Sequence, residues 1–200
     1  MATIGRKDLL LLLVGLDRAG APGDQVNGVT RLQKLLFLLQ EEGGLKPSGE
    51  GFEFSAWKAG PYSSKLYDDL EFLENVGLLE SDTVAGATEA EVLEATEAER
   101  RVEGDAGLTF DFLMGTDSDM GPQTSVFEER RFRLSQRGVE RVKEILSRGE
   151  LKPVADGIRR IKSRYSHYSL NDLLYHVYTS YPDMTVASEI KDKVLSRGRR

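Results

Sequence analysis

The chain has 200 residues, 40% of them hydrophobic and 30% charged, with a formal net charge of −6. These proportions describe one soluble globular domain, or one domain with a small appendage, and exclude a collagen, a fully disordered chain and a membrane bundle. The absence of cysteine removes disulfides, thiolate zinc sites, cysteine nucleophiles and iron–sulfur clusters.

The first predicted helix, Asp8 to Ala19, is leucine-rich and ends at the breaker cluster Gly20-Ala21-Pro22-Gly23. Its apolar run from Leu9 to Val14 falls far short of the roughly 18 to 20 residues a membrane span requires. With no signal-peptide pattern either, a cytoplasmic location is expected. Thr30 to Glu42 reads as a second helix, with Thr30 as N-cap and Leu32, Leu35, Leu36 and Leu39 at i, i+3, i+4 and i+7. Gly49 to Lys58 carries a short strand-like alternation, and Gly60-Pro61 is a turn. Ser63 or Ser64 caps a third helix reaching about Asn75, with Leu66, Leu70 and Leu73 inward and Lys65, Asp68, Asp69 and Glu71 outward. Gly77 closes it, and Leu78-Leu79 opens a strand.

The returning strand comes much later, at Glu129 to Leu134, where Arg131 and Arg133 alternate with Phe132 and Leu134 before a helix over about Val139 to Ser147. Between the strands lies an acidic insert at about 83–125, containing Ala87-Thr88-Glu89-Ala90-Glu91 and its repeat Ala95-Thr96-Glu97-Ala98-Glu99. It has too little apolar area for a core of its own. Three helices followed by such a hairpin are the order of a winged helix-turn-helix, within an α+β, mainly helical class. The expected organisation is a winged-helix domain over residues 1–150 and a C-terminal helical extension over 151–200. In that extension Val154, Ile158 and Ile161 share one helix face, with Arg159, Arg160, Lys162 and Arg164 on the others. Ser169 and Asp172 form a capping arrangement for Leu170 to Ser180, Pro182 stops that helix, and a last helix runs from about Val186 to Leu195.

Two stretches form a recognisable pair. Leu32-Gln33-Lys34-Leu35-Leu36-Phe37 is followed, after a gap, by Phe54 to Tyr67 with Ala56-Trp57-Lys58-Ala59-Gly60-Pro61-Tyr62-Ser63 at its centre. Over residues 28–80 this pairing resembles the SocA-like Panacea antitoxin domain and the YwgA-like bacterial proteins, and Leu173 to Pro182 is similar to a C-terminal helix end of the latter. The resemblance implies a protein that neutralises a toxin, or serves a phage-defence system, by direct contact with its partner.

Little in the chain points to catalysis. The two histidines, His167 and His176, are nine residues apart, which does not suit a metal pair on one helix. His176 with Asp172 at i, i+4 allows an acid–base pair, but an ordinary helix-surface pair has the same spacing. No phosphate-binding or nucleophile-elbow glycine motif occurs. A non-enzyme without cofactor or metal is expected.

Two surfaces remain as binding candidates. Trp57, Lys58, Tyr62 and Ser63 offer an aromatic contact patch for a partner protein, or else Trp57 closes the small core. Charge is segregated: residues 80–129 hold 2 basic and 14 acidic side chains, whereas residues 130–200 hold 17 basic and 8 acidic. Arg130, Arg131, Arg133, Arg137, Arg141, Lys143, Arg159 and Arg160 therefore form the candidate phosphate-binding surface for DNA. The competing reading is that they pair with the acidic insert or simply solvate the surface. Asp68, Asp69, Glu71 and Glu74 would repel DNA from the third helix. Five of the seven tyrosines fall between Tyr165 and Tyr181, suiting helix packing or a homodimer better than base stacking. The leading expectation is a winged-helix regulator binding nucleic acid, and the alternative a protein-binding antitoxin or defence adaptor.

Overall fold

The computed structural model describes residues 4–45, 47–85 and 128–197. The insert expected at about 83–125 thus lies almost wholly outside the described residues. The elements in chain order are α1 (Arg6–Gly15), β1 (Gln25–Asn27), α2 (Val29–Glu41), β2 (Ser55–Trp57), β3 (Gly60–Tyr62), α3 (Ser64–Asn75), β4 (Leu79–Ala85), β5 (Glu128–Leu134), α4 (Gln136–Ser147), α5 (Lys152–Tyr165), α6 (Leu170–Ser180) and α7 (Lys191–Arg197). The class is α+β and mainly helical, with small antiparallel sheets.

Helix α1 is the hub. Every side chain from Leu9 to Val14 is fully buried, as an all-round apolar helix requires, and α1 packs on α2, α3, α4, α5 and β5. It ends four residues earlier than its leucine content suggests. Leu16 turns extended and bridges to Pro22, while the Asp17 carboxylate accepts hydrogen bonds from the Ala19 and Ala21 amides, both at 2.8 Å. A short polar side chain here competes with the helix for the backbone.

Strand β5 is the centre of a three-stranded sheet in the order β1-β5-β4. Phe132 faces Val26 on one side and Ser81 on the other, and its ring is fully buried. Strand β1 has no counterpart in the sequence reading, because three residues with one inward side chain give no period to detect. A separate two-stranded hairpin, β2-β3, stands between α2 and α3.

The helix signals held unevenly. Ser135 caps α4 by accepting from the Gly138 amide at 3.0 Å, and Ser169 with Asp172 forms a reciprocal capping box on α6. Thr30 is not the cap of α2: the helix begins at Val29, and the Thr30 hydroxyl is buried. The last helix also starts later than its sequence suggests, at Lys191 rather than Val186, after a 3₁₀ turn over Pro182–Thr185. Val186 is 73% exposed, so nothing anchors a helical face there. Val154, Ile158, Leu173 and Val177 of α5 and α6 belong to the same continuous core as Leu32 and Leu36 of α2.

Two charged residues placed outward by helical phase lie inside. Asp69 is 1% exposed and accepts from Arg6 at 2.5 and 3.1 Å, with Lys7 at 3.3 Å. Lys162 is also 1% exposed; its ammonium donates to the Val14 carbonyl at 3.1 Å and to Asp24 at 2.9 Å. Burial lowers the Lys162 pKa against the opposing pull of Asp24. Both were misplaced for one reason: a charge enters a core only with its partner, and these partners come from remote segments.

Candidate functional site

The antiparallel register of β4 and β5 sets Glu80 opposite Arg133 and Asp82 opposite Arg131. Alternation puts both arginines on one face, as expected, but the facing strand supplies a carboxylate for each. Arg131 grips Asp82 through two guanidinium nitrogens, Nε at 2.9 Å. Arg133 reaches Glu80 at 3.1 Å and Asp82 at 3.3 Å. The hydrogen bond from Arg131 holds the Asp82 carboxyl below its ordinary pKa. On the other face, Arg130 donates to Glu74 of α3 at 2.8 Å and to Ser81 at 3.0 Å.

The remaining members of the basic set divide. Arg137 donates to the Val76 carbonyl at 3.0 Å, closing the end of α3. Arg141 clamps Asp8 of α1 and also meets Glu144, while Arg159 pairs with Asp156 at 3.0 Å. Lys143 and Arg160 are exposed and carry no ion pair among the described residues. Lys162 leaves the surface set altogether, being buried. The arginines of β5 thus sit against carboxylates of α3 and β4, and a phosphate approaching them competes with charges already in place.

The second candidate surface, around Trp57, is built on the β2-β3 hairpin. Three residues per strand is too little for independent stability, and the hairpin is instead clamped from behind. Gln33 of α2 makes a two-way amide pair with Ser63, donating to its carbonyl at 3.2 Å and accepting from its N–H at 3.0 Å. Lys34, buried beside it, donates to the Pro61 carbonyl at 3.1 Å. The Ser63 hydroxyl donates to the Phe52 carbonyl, so Ser63 is a buried strut and unavailable to a partner. On the opposite edge, the Lys58 carbonyl accepts from the Glu189 amide at 2.9 Å and from the Ser188 hydroxyl at 3.1 Å. Gly60, at φ +88°, lies so close to Tyr178 that an added Cβ would stand 3.0 Å from the ring, so only glycine suits this turn on both counts.

These contacts give the two motifs of the sequence a physical meaning: Gln33 and Lys34 fasten the Pro61–Ser63 backbone. Outward, the hairpin presents Trp57, 37% exposed, which the core-closing alternative does not describe. The Trp57 ring lies 6.1 Å from Tyr62, and Tyr62 lies 5.8 Å from Tyr67 on α3. Next along α3 are exposed Asp68, Glu71 and Phe72, the last 46% exposed. Lys58 is half-buried, 3.9 Å from Glu189.

His176 does not pair with Asp172, whose carboxylate is held in the capping box with Ser169. Its Nε2 lies 2.9 Å from Glu42 at the end of α2 and 2.9 Å from the Tyr165 hydroxyl. Tyr165 in turn donates to Glu42 at 2.6 Å, and Arg164 adds a 3.0 Å bond. Burial alone would raise the Glu42 pKa, but the bonds from Tyr165 and His176 and the nearby positive charges outweigh it and hold the carboxyl low. Burial and Glu42 together push the Tyr165 phenol well up. Tyr178 is pushed up to about 12 by burial. The C-terminal tyrosines are therefore buried or half-buried in their own chain, Tyr165 and Tyr178 fully.

Glu42, Gln33, Lys34 and Tyr67 were missed as site residues by sequence reasoning; only the recurrence of Gln33-Lys34 beside Gly60-Pro61 in the resemblance carried a signal. Among the described residues there is no group of three metal-ligating side chains and no helix long and apolar enough to cross a membrane. Set beside known proteins, the chain matches no family model, no curated protein and no solved structure.

Proposed function

We propose that this chain is a winged-helix module without catalytic activity that acts by direct contact with a partner protein, through the face formed by Trp57, Tyr62 and Tyr67. The winged-helix reading rests on the order α1-β1-α2-α3-β4-β5 and on a sheet in which β5 lies between β1 and β4. The observation that carries the functional reading is the clamped hairpin: α2 from behind and Ser188–Glu189 at the edge hold a tryptophan at the surface. A rigid, pre-placed aromatic is what an interface hot spot needs, since little ordering entropy is lost on binding. The acidic flank of Asp68 and Glu71 favours a basic partner surface. Contact with a partner protein is also what the Panacea resemblance implies.

The nucleic-acid regulator stays as a second reading because Arg130, Arg131 and Arg133 remain part-exposed on the wing. DNA would there compete with Glu74, Glu80 and Asp82 for the same guanidinium groups. Substituting Trp57→Ala separates the two readings. Loss of a stoichiometric protein partner, with unfolding temperature retained, supports the first; an unchanged partner together with loss of DNA binding on Arg131→Glu/Arg133→Glu would overturn it.

A further inference from the structure

A second cluster of cations lies apart from the wing, where the turn after α1 meets α5. Arg18, Asp156, Arg159, Arg160, Ser163 and Arg164 surround an open concavity of about 660 Å³, a size at which small-ligand sites are found. Four arginines, one serine and one aspartate line it.

Each part of this basin has a structural origin. Residues 156, 159, 160, 163 and 164 recur at three- and four-residue spacing, so they form one stripe of α5. Arg18 is brought over the stripe by the turn that the Asp17 carboxylate ties through the Ala19 and Ala21 amides. Gly20 in that turn has φ +86°, and a Cβ there would stand 2.7 Å from Arg159 Cδ. The turn and the arginine are thus fitted to each other, and the glycine leaves the path that Arg159 takes.

The four arginines are not equally committed. Arg159 is braced by Asp156 and Arg164 by Glu42, each through one nitrogen at 3.0 Å. Arg18 and Arg160 have no hydrogen bond or ion pair among the described residues, and no other arginine with a described side chain shares that property. The other arginines with described side chains meet carboxylates or carbonyls; here two are left beside two more of like charge. Holding like charges together is unfavourable in the empty state and becomes favourable when an anion enters. Braced guanidiniums with spare N–H groups, flanked by free ones, supply the fork geometry that binds phosphoryl oxygens in pairs.

We propose that Arg18, Arg159, Arg160, Ser163 and Arg164 form a binding site for a compact phosphate-bearing anion, of the size of a pyrophosphate or triphosphate group. Two phosphoryl units engage the two pairs of arginines, and the Ser163 hydroxyl donates to an oxygen between them. The site is independent of the hairpin face, so it stands or falls separately from partner binding.

Titration calorimetry with inorganic tripolyphosphate tests it. The expected result is saturable one-to-one binding that weakens roughly tenfold or more in Arg18→Gln/Arg160→Gln, two charge-assisted contacts being lost. The wing variant Arg131→Gln/Arg133→Gln and the hairpin variant Trp57→Ala should leave affinity within about twofold, as expected for sites with no shared partner. Both basin residues are exposed, and an unchanged unfolding temperature confirms that the fold survives their replacement. Absence of saturable binding, or equal affinity in the basin variant, overturns the proposal. A nucleoside triphosphate and the backbone of a single strand share this chemistry, and competition distinguishes them. Displacement of a short oligothymidylate by tripolyphosphate supports a compact ligand, whereas preference for the oligonucleotide per phosphate overturns that assignment.

Discussion

Strand β5 and the α5 basin are both arginine-rich, yet they differ in what their arginines face. On β5, strand register brings Glu80 and Asp82 directly opposite Arg133 and Arg131, so the charge is matched within the β4-β5 pair itself. In the basin, Arg18 arrives from a turn and Arg160 from a helix stripe, and neither meets an acid among the described residues. The count of arginines in a segment therefore says little about surface potential. Pairing is decided by which residues the fold sets opposite them.

The largest expected effect concerns whether β5 is scaffold. Phe132 sits at the centre of the sheet, fully buried between Val26 and Ser81. Phe132→Ala should cost about 3–5 kcal/mol in denaturant unfolding. A loss under about 1 kcal/mol would remove β5 from the core and leave its arginines free to serve a ligand. Next in size is the clamp. Gln33→Ala leaves the buried Ser63 N–H unpaired and its carbonyl with only the 3.4 Å bond from the Leu66 amide, and should cost about 2 kcal/mol. Trp57 is the only tryptophan, so intrinsic fluorescence reports directly on the hairpin it occupies. An unchanged spectrum and stability in that variant would mean that the hairpin does not depend on α2.

Much of this architecture was legible in the sequence. Leucine spacing placed α2 and α3, the Ser169–Asp172 pair placed α6, and alternation of arginine with Phe132 and Leu134 placed β5 with its two faces. Those signals are local. What escaped was non-local: Asp69 is buried because Arg6, 63 residues away, comes to meet it, and Lys162 because Asp24 does. The Trp57 segment stood out as a motif, but the reason for it lies in a contact 30 residues distant, between Gln33 and Ser63. His176 was matched to its helical neighbour Asp172, and its partner Glu42 is 134 residues away. Charge counting flagged the basic last third but could not foresee Arg18, which lies in the acidic first third.

Two smaller effects sharpen the comparison further. Glu42 has a lowered pKa in the folded protein, so its contribution to stability is fully present above the ordinary value of 4.5 and is lost as pH falls through the lower folded value. Glu42→Gln should flatten the decline of unfolding temperature with pH in that acid range, while leaving the slope near neutrality unchanged. A decline as steep as in the parent protein would show that the Tyr165–His176–Glu42 group does not hold the carboxylate charged. The smallest effect concerns salt. Arg131→Gln/Arg133→Gln removes attractive pairs, so it should lower the unfolding temperature most at low salt. Arg18→Gln/Arg160→Gln removes repulsion, and its effect should stay within about 0.5 kcal/mol, with a slight gain at low salt. Equal signs for the two variants would contradict the contrast between the regions.

Whether the clamped hairpin face or the β5 arginines engage a partner is decided by affinity capture of the tagged protein from its own cells. Parent, Trp57→Ala and Arg131→Glu/Arg133→Glu forms are compared, each with and without nuclease. The account predicts one stoichiometric protein that survives nuclease, persists in the wing variant and is lost in Trp57→Ala. Recovery of a discrete set of DNA sites, abolished by nuclease and by the wing variant but indifferent to Trp57, would contradict it.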